Sequence, residues 1–201
     1  MKQAVTNCLL CGRELQGVIS WTAIFSKQLP QTICTRCEGR FTKIVDQKEV
    51  GVVSLYEYND AMKDYLHRYK FMHDIVLAKV FNRELNKQLV HQAATIIPVP
   101  MHEDNLNNRT FAHLDELLHA AKLPFEQLLY KTTTETQVGK TREQRICSEQ
   151  LFQVIDNRKI INNNFIIVDD IYTTGTTMAH AKRALLEAGA QAVEGFTLIR
   201  G

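Results

Sequence analysis

Residues 165 to 178, FIIVDDIYTTGTTM, limit what this chain can fold into more than any other stretch. Phe165 to Val168 have the length and apolar content of a buried strand. Two adjacent carboxylates close the run, and a loop of threonines around Gly175 then opens onto a helix signal. A strand that passes through small polar residues directly into a helix is the repeating unit of a parallel α/β sheet. The pattern therefore places Asp169 and Asp170 at the carboxyl end of a central strand, the side on which open α/β folds bind ligands.

The loop has its own chemistry. Thr173, Thr174, Gly175, Thr176 and Thr177 lead into a helix N-terminus, where unpaired N–H groups and the helix dipole attract an anion. Gly175 lets the backbone approach that anion closely, and the threonine hydroxyls add donors. The dipole supplies only about 0.3–1 kcal/mol, so aligned N–H groups and hydroxyls must provide much of the hold. No GxxxxGK[ST] pattern is present, which excludes a P-loop nucleotide site. Two carboxylates facing the same phosphate would repel it, but alongside it they can accept hydrogen bonds from sugar hydroxyls. A phosphate beside a diol satisfies both halves of the stretch, and a ribose 5-phosphate fits. The bland alternative is an ordinary strand–turn–helix, because helix N-termini favour such residues in general.

Strands and helices alternate elsewhere too. VVSLYEY, ATIIPVP, LLYK, LFQVI and AVEGFTLI read as strands. Asn59 and Asp60 start a helix with Met62, Leu66 and Tyr69 on one face; Asp74 caps a second carrying Leu77, Phe81, Leu85 and Leu89. Phe111, Leu114, Leu118 and Ala121 mark a third, and Met178, Ala181, Leu185 and Ala188 a fourth that stops at Gly189. The segment from Thr132 to Ser148 is poor in apolar residues and is the expected excursion.

Cys8, Cys11, Cys34 and Cys37 form two CxxC pairs near the N-terminus. A two-residue gap lets one tight turn aim both sulfurs at a metal, and two such turns complete a tetrahedron of thiolates. A redox dithiol or a disulfide pair is the alternative; two such pairs in a cytoplasmic chain favour a structural Zn²⁺. The expected layout is a four-cysteine zinc-ribbon module over 1–48, its end closed by a short helix in EGRFTKIV, followed by an α/β domain over 49–201. Cys147 stands apart as an unpaired thiol.

Hydrophobic residues make up 45% of the chain and charged residues 23%, which argues against extensive disorder. A net charge of +2 gives nucleic acid no whole-chain attraction, so such binding needs a local patch. Two are candidates: Arg13, Lys27, Arg36, Arg40 and Lys43 near the cysteines, and the basic-aromatic run Lys63, Tyr65, Arg68, Tyr69, Lys70 and Phe71. The second also fits an amphipathic helix with its rings in the core. Apolar runs are too short for an integral membrane segment, and no signal-like core precedes the cysteines, so a cytoplasmic location is expected.

The strand–acid–loop stretch resembles the signature of type I phosphoribosyltransferases. That resemblance implies that Asp169 and Asp170 hold the ribose hydroxyls of phosphoribosyl pyrophosphate (PRPP), bound with Mg²⁺, and that Thr173 to Thr177 cradle its 5-phosphate. The whole order, including YKF at 69–71, PVPMH at 98–102, RTFAH at 109–113 and TQVGKTREQR at 136–145, resembles the ComF, or ComFC, family of competence-associated proteins. The implied fold is a type I phosphoribosyltransferase-like parallel sheet with flanking helices, preceded by the zinc module. Arg109, with the backbone after Pro100, would hold pyrophosphate, and Lys140, Arg142 and Arg145 would act as lid cations. The family usually reads Arg-Gly-Phe-Asn-Gln where this chain has Arg109-Thr110-Phe111-Ala112-His113, so both amide side chains are missing.

Two functions follow from the resemblance. One is an accessory that handles incoming single-stranded DNA in natural transformation beside a ComFA-type translocase ATPase, with PRPP as ligand or regulator. The other is a working phosphoribosyltransferase with an unidentified acceptor. A third possibility is that the zinc module chiefly docks a protein partner.

Overall fold

A computed structural model describes residues 5–15, 29–45, 51–101, 111–132 and 151–201. In chain order its elements are α1 (Thr35–Glu38), β1 (Val52–Glu57), α2 (Asp60–Lys70), α3 (Asn82–Leu89), β2 (Thr95–Pro98) and α4 (His113–Ala120). They continue with β3 (Leu129–Lys131), β4 (Phe152–Val154), β5 (Asn164–Tyr172), α5 (Thr176–Glu187) and β6 (Ala192–Arg200). Four strands form one parallel sheet in the order β1-β6-β5-β2, while β3 and β4 pair antiparallel as a separate ribbon.

β5 is central and covered on both faces, which is why its sequence is a continuous apolar run. Phe165 and Ile167 enter a core with Met178, Ala181 and Leu185 of α5. Ile166 and Val168 point the other way, into a core with Met62, Tyr65 and Tyr69 of α2 and Leu114, Leu117 and Leu118 of α4. Inside the sheet, Ser54 of β1 and Thr197 of β6 share a buried hydrogen bond of 2.7 Å. Helix α5 crosses β6 so closely at Gly195 that a Cβ there would lie 2.9 Å from Val52 and 3.0 Å from the Met178 sulfur.

The helix signals behave as their chemistry requires. Asn59 caps α2 by accepting from the Met62 N–H at 3.0 Å, and α5 ends at Gly189 with a left-handed φ of 98°. Two expectations are corrected. The helix expected from Asp74 through Leu89 is interrupted: Ile75–Lys79 is a 3₁₀ turn, and α3 starts only at Asn82. Leu77, Phe81, Leu85 and Leu89 are still all buried, so the apolar stripe survived while the backbone tightened. Nor does EGRFTKIV form the closing helix. The short helix lies earlier, at α1, and Phe41 turns into the core beside Tyr56 and Phe81. Thr42 to Ile44 then run extended beside β1, with Ile44 N–H donating to Leu55 O and Glu57 N–H to Thr42 O.

The cysteine-bearing segment is therefore bonded to the sheet. Cys8, Ile33, Cys37 and Phe41 share one apolar core with Tyr56, Tyr65 and Phe81, and the Phe81 ring lies about 5 Å from each of the Phe41, Tyr56 and Tyr65 rings. The Thr32 hydroxyl donates to Lys79 O at 2.9 Å, and Asn59 Nδ2 donates to Arg40 O at 2.9 Å. Among the described residues no helix is long and apolar enough to cross a membrane.

Candidate functional site

β5 delivers Asp169 and Asp170 to its carboxyl end, and strand alternation sends them to opposite faces. Asp169 borders a small recess of about 20 Å³ formed with Thr173, Thr174, Gly175, Thr176, Thr177 and Thr197. Its Oδ1 accepts the Asp170 N–H at 2.8 Å. Burial pushes the Asp169 carboxyl up to about 6, against the pull of the Lys70 and Lys131 ammonium groups. The carboxylate thus sits where it is poorly solvated, a common property of a group kept for ligand contact.

The loop ends in a helix N-terminus whose N-cap, Gly175 with φ 75°, has no side chain to close the first turn, and the Thr176 N–H reaches Thr174 Oγ1 at 3.5 Å. Thr174 and Thr176 hydroxyls lie 2.9 Å apart over it. Glycine is required for a second reason, because a Cβ at 175 would meet the Tyr172 hydroxyl at 2.4 Å. The Tyr172 ring therefore supports the loop from below. Uncapped N–H groups, flanking hydroxyls and a left-handed glycine are the components of an anion cradle.

Asp170 is buried, and its Oδ2 is shared by two cations or potential cations. Lys70, the last residue of α2, forms an ion pair with it, and His113 Nε2, from the first turn of α4, lies 3.3 Å away. The two helices are clamped beside this group: the Tyr69 hydroxyl donates to His113 O at 2.6 Å, and the Tyr69 and Phe111 rings lie 5.4 Å apart. Sequence reasoning placed Lys70 in a nucleic-acid patch and read His113 only as a departure from the family pattern. The partners of Asp170 are 100 and 57 residues away along the chain, numbering from 70 and 113 to 170, and no local signal joins them. Lys131 beside Asp169 and Thr197 in the recess were missed for the same reason.

The second candidate patch dissolves. Tyr65 and Tyr69 are each 1% exposed, stacked in the core with ring centroids 5.7 Å apart. Arg68 points at the cysteine segment, donating to Leu10 O at 3.2 Å and Leu9 O at 3.3 Å, and pairing with Asp74 at 3.1 Å. Of the rings in the run, Phe71 alone is left exposed. An amphipathic helix dictates this outcome, since its apolar stripe must face the sheet. In the first patch Arg40 pairs with Asp64 and Lys43 with Glu84, while Arg13 and Arg36 are exposed. Lys27 lies outside the described residues, as do Arg109, Lys140, Arg142, Arg145 and Cys147.

The sulfurs of Cys8, Cys11, Cys34 and Cys37 all lie within 4.8 Å of one another, with Cys11 and Cys34 at 3.8 Å. Gly12 turns the first knuckle with φ 71°, and its N–H donates to Cys8 O at 2.8 Å. Burial would raise the Cys8 thiol, but N–H groups of Cys34, Cys11 and Leu10 aimed at its sulfur bring it down to about 6. Cys37 is driven upward by burial and by its three sulfur neighbours. Four converging sulfurs that resist sharing negative charge fit one tetrahedral metal.

The chain is similar in sequence to known proteins. The family model described as "Phosphoribosyl transferase domain" matches residues 111–201, the span holding α4 to β6 and the whole recess. "Competence protein ComFC" of Streptococcus pneumoniae is 31% identical, over 96% of this chain and 100% of its own length. "Competence protein ComFC" of Bacillus subtilis is 28% identical, over 96% of this chain and 94% of its own. Among solved structures, an "allosteric regulatory enzyme of purine biosynthesis" superposes with a TM-score of 0.46 and 18% identity, covering 67% of this chain and 30% of that one. A hypoxanthine phosphoribosyltransferase from Staphylococcus aureus gives a TM-score of 0.37 and 18% identity, covering 61% and 62% of the two chains.

Proposed function

Since this chain belongs to the ComFC competence protein family and carries a phosphoribosyltransferase domain, we propose that it is a cytoplasmic accessory of natural transformation that binds a ribose phosphate while handling incoming single-stranded DNA. The observation that carries the ligand half is the uncapped α5 N-terminus at Gly175 with Asp169 beside it, an anion cradle next to a carboxylate. In PRPP, the 5-phosphate would take the Thr173 to Thr177 loop and Asp169 would accept from the ribose hydroxyls, while Asp170, buried on the opposite face in its pair with Lys70, would join it only on leaving that pair. Lys70 and Lys131 offset the negative charge that the acids bring. Mg²⁺ would accompany the pyrophosphate, which Arg109, Lys140 and Arg142 would contact.

The division into a metal module at 1–48 and a sugar-phosphate domain at 49–201 belongs to the same reading. Zn²⁺ suits the four-sulfur set and, when bound, supplies structure and no chemistry. The DNA half rests on family membership, and the partner expected beside it is a ComFA-type ATPase. The exposed Arg13 and Arg36 support DNA contact at the cysteine segment rather than on α2. A second reading is turnover of PRPP onto an acceptor, favoured by a cavity of about 230 Å³ whose wall includes His113, the neighbour of Asp170.

Calorimetry with Mg²⁺–PRPP tests the ligand half, on the wild type and on Asp169→Asn. Labelled single-stranded DNA titrated at two salt concentrations tests the other. PRPP binding that disappears in the variant while salt-sensitive DNA binding persists is the expected result. Absence of PRPP binding in the wild type would sink the ligand half. Salt-insensitive DNA binding, or none, would sink the DNA half.

A further inference from the structure

The last turn of α2 carries three consecutive side chains that reach three different parts of the molecule. Arg68 extends to the cysteine segment, where Nη1 donates to Leu10 O at 3.2 Å and Nη2 to Leu9 O at 3.3 Å. The Tyr69 hydroxyl donates to His113 O at 2.6 Å, and Lys70 forms the ion pair with Asp170. One helical turn thus touches the cysteine cluster and Asp170 at once.

The two carbonyls that Arg68 takes are well placed to act on the sulfurs. Leu9 and Leu10 are the residues between Cys8 and Cys11 in the first knuckle. In a planar trans peptide, the C=O of one residue and the N–H of the next point in opposite directions. The peptide that offers Leu9 O to Arg68 therefore turns the Leu10 N–H the other way, and the next peptide does the same with the Cys11 N–H. Both of those N–H groups are aimed at Cys8 Sγ. Arg68 grips the outer ends of the same two peptides whose inner ends hold the sulfur. A hydrogen bond to a carbonyl also polarises its peptide and strengthens the bond that the N–H donates. The guanidinium is itself fixed in place: Nη2 pairs with Asp74 at 3.1 Å, and the Asp74 N–H donates to Arg68 O at 3.2 Å. A planar fork can span two neighbouring carbonyls, whereas a lysine ammonium is a point charge without that fixed pair of donors.

We propose that Arg68 is a positioning residue for a metal held by the four cysteines, and that through the last turn of α2 it makes the hold on that metal depend on the Lys70–Asp170 pair. Breaking the pair frees the helix end. The guanidinium then loses its fixed approach to the knuckle, and the two N–H groups on Cys8 lose their alignment. The link runs both ways, as any coupling free energy must: metal loading steadies Lys70 against Asp170. The coupling needs no ligand. Only its use in regulation rests on the ribose-phosphate reading above, in which a sugar that draws Asp170 out of its pair loosens the metal.

The test uses full-length, Zn²⁺-loaded protein in competition with a chromogenic chelator, and thermal melting shows which variants are folded. A substitution that merely weakens the fold leaves the metal affinity of the folded molecules unchanged, so affinity separates positioning from stability. Arg68→Met should lower Zn²⁺ affinity about tenfold, the loss typical when a group that orients a metal ligand is removed. Arg68→Lys should recover part of that loss, and Arg83→Met, which removes an exposed arginine from α3, should change nothing. In Co²⁺-loaded samples the thiolate-to-cobalt charge-transfer band should move in Arg68→Met and stay in Arg83→Met. Asp170→Asn should lower Zn²⁺ affinity about twofold or more, and should have no effect on top of Arg68→Met. Unchanged affinity in a folded Arg68→Met, or an equal loss in Arg83→Met, overturns the proposal. An Asp170→Asn effect that is absent, or that persists undiminished beside Arg68→Met, overturns the coupling. Should Arg68→Met not fold, full Zn²⁺ affinity in both Arg68→Lys and Asp170→Asn overturns the proposal instead. Mg²⁺–PRPP titrations on the wild type separate the two readings. A coupled metal site without PRPP binding overturns only the ribose-phosphate reading, and PRPP binding beside an uncoupled metal site overturns only this one.

Discussion

Replacing Asp169 with Asn removes a charge and almost no volume, and its Oδ1 can still accept the Asp170 N–H that Asp169 accepts at 2.8 Å. The wild-type carboxyl is raised from 3.8 to about 6, chiefly by burial. At about 1.36 kcal/mol per unit, that shift costs the folded protein up to roughly 3 kcal/mol when the group is ionised. Partial solvent access lowers the expected cost to about 1–3 kcal/mol. The folded value lies above the unfolded one, so the cost is absent below pH 4, grows between 4 and 6, and is complete above 6. Asp169→Asn should therefore melt higher than wild type at pH 7.5, at about 2–4 °C per kcal/mol for a chain of this size. The advantage should vanish near pH 4, and the variant should lose Mg²⁺–PRPP binding while gaining stability, as a residue retained for ligand contact would. Thermal melts of both proteins without ligand at pH 4, 5, 6 and 7.5 decide it. A variant no more stable at pH 7.5, or a difference that ignores pH, refutes the reasoning.

Lys70→Met leaves the buried Asp170 carboxylate with His113 as its remaining partner and should cost about 3–5 kcal/mol in chemical denaturation, with most of the loss recovered in Lys70→Met/Asp170→Asn; equal destabilisation of both variants would remove the ion pair as the cause. Gly175→Ala must hold φ 75° and meet the Tyr172 hydroxyl at 2.4 Å, so it should lose at least 1–2 kcal/mol and bind PRPP more weakly; unchanged calorimetry would show that the loop does not need its left-handed turn. Chelation should lower the melting temperature of the whole chain in one transition, because Cys8 and Cys37 share a core with Phe41, Tyr56 and Phe81. A separate early transition, with the main one unmoved, would show that the cysteine segment melts on its own.

Local chemistry made much of the fold legible. Phe165 to Val168 could only be a strand covered on both faces, and it is; Asn59 could cap α2 and does; Gly189 had to end α5 and takes a left-handed φ. The errors came where tertiary contact overrode a local pattern. The four-residue spacing from Leu77 to Leu89 promised one helix, but burial required only that those side chains face inward, and a 3₁₀ turn met the same demand. EGRFTKIV looked helical, yet the open edge of β1 offered hydrogen bonds to an extended Thr42 to Ile44.

The site divides along the same line. By itself the amino-acid sequence determined the loop at the α5 N-terminus and the cysteine cluster, since each depends on residues close in the chain: a glycine among threonines before a helix, and sulfurs spaced for tight turns. Only the tertiary structure decided which face each acid would take and what would neutralise it. Lys70 and His113 reach Asp170 because α2 and α4 dock on one side of β5, and Lys131 approaches Asp169 from the end of β3. Charge interactions act through space and leave no periodic trace along a chain, so the electrostatics of Asp169 and Asp170 became readable only once the sheet had brought their partners together.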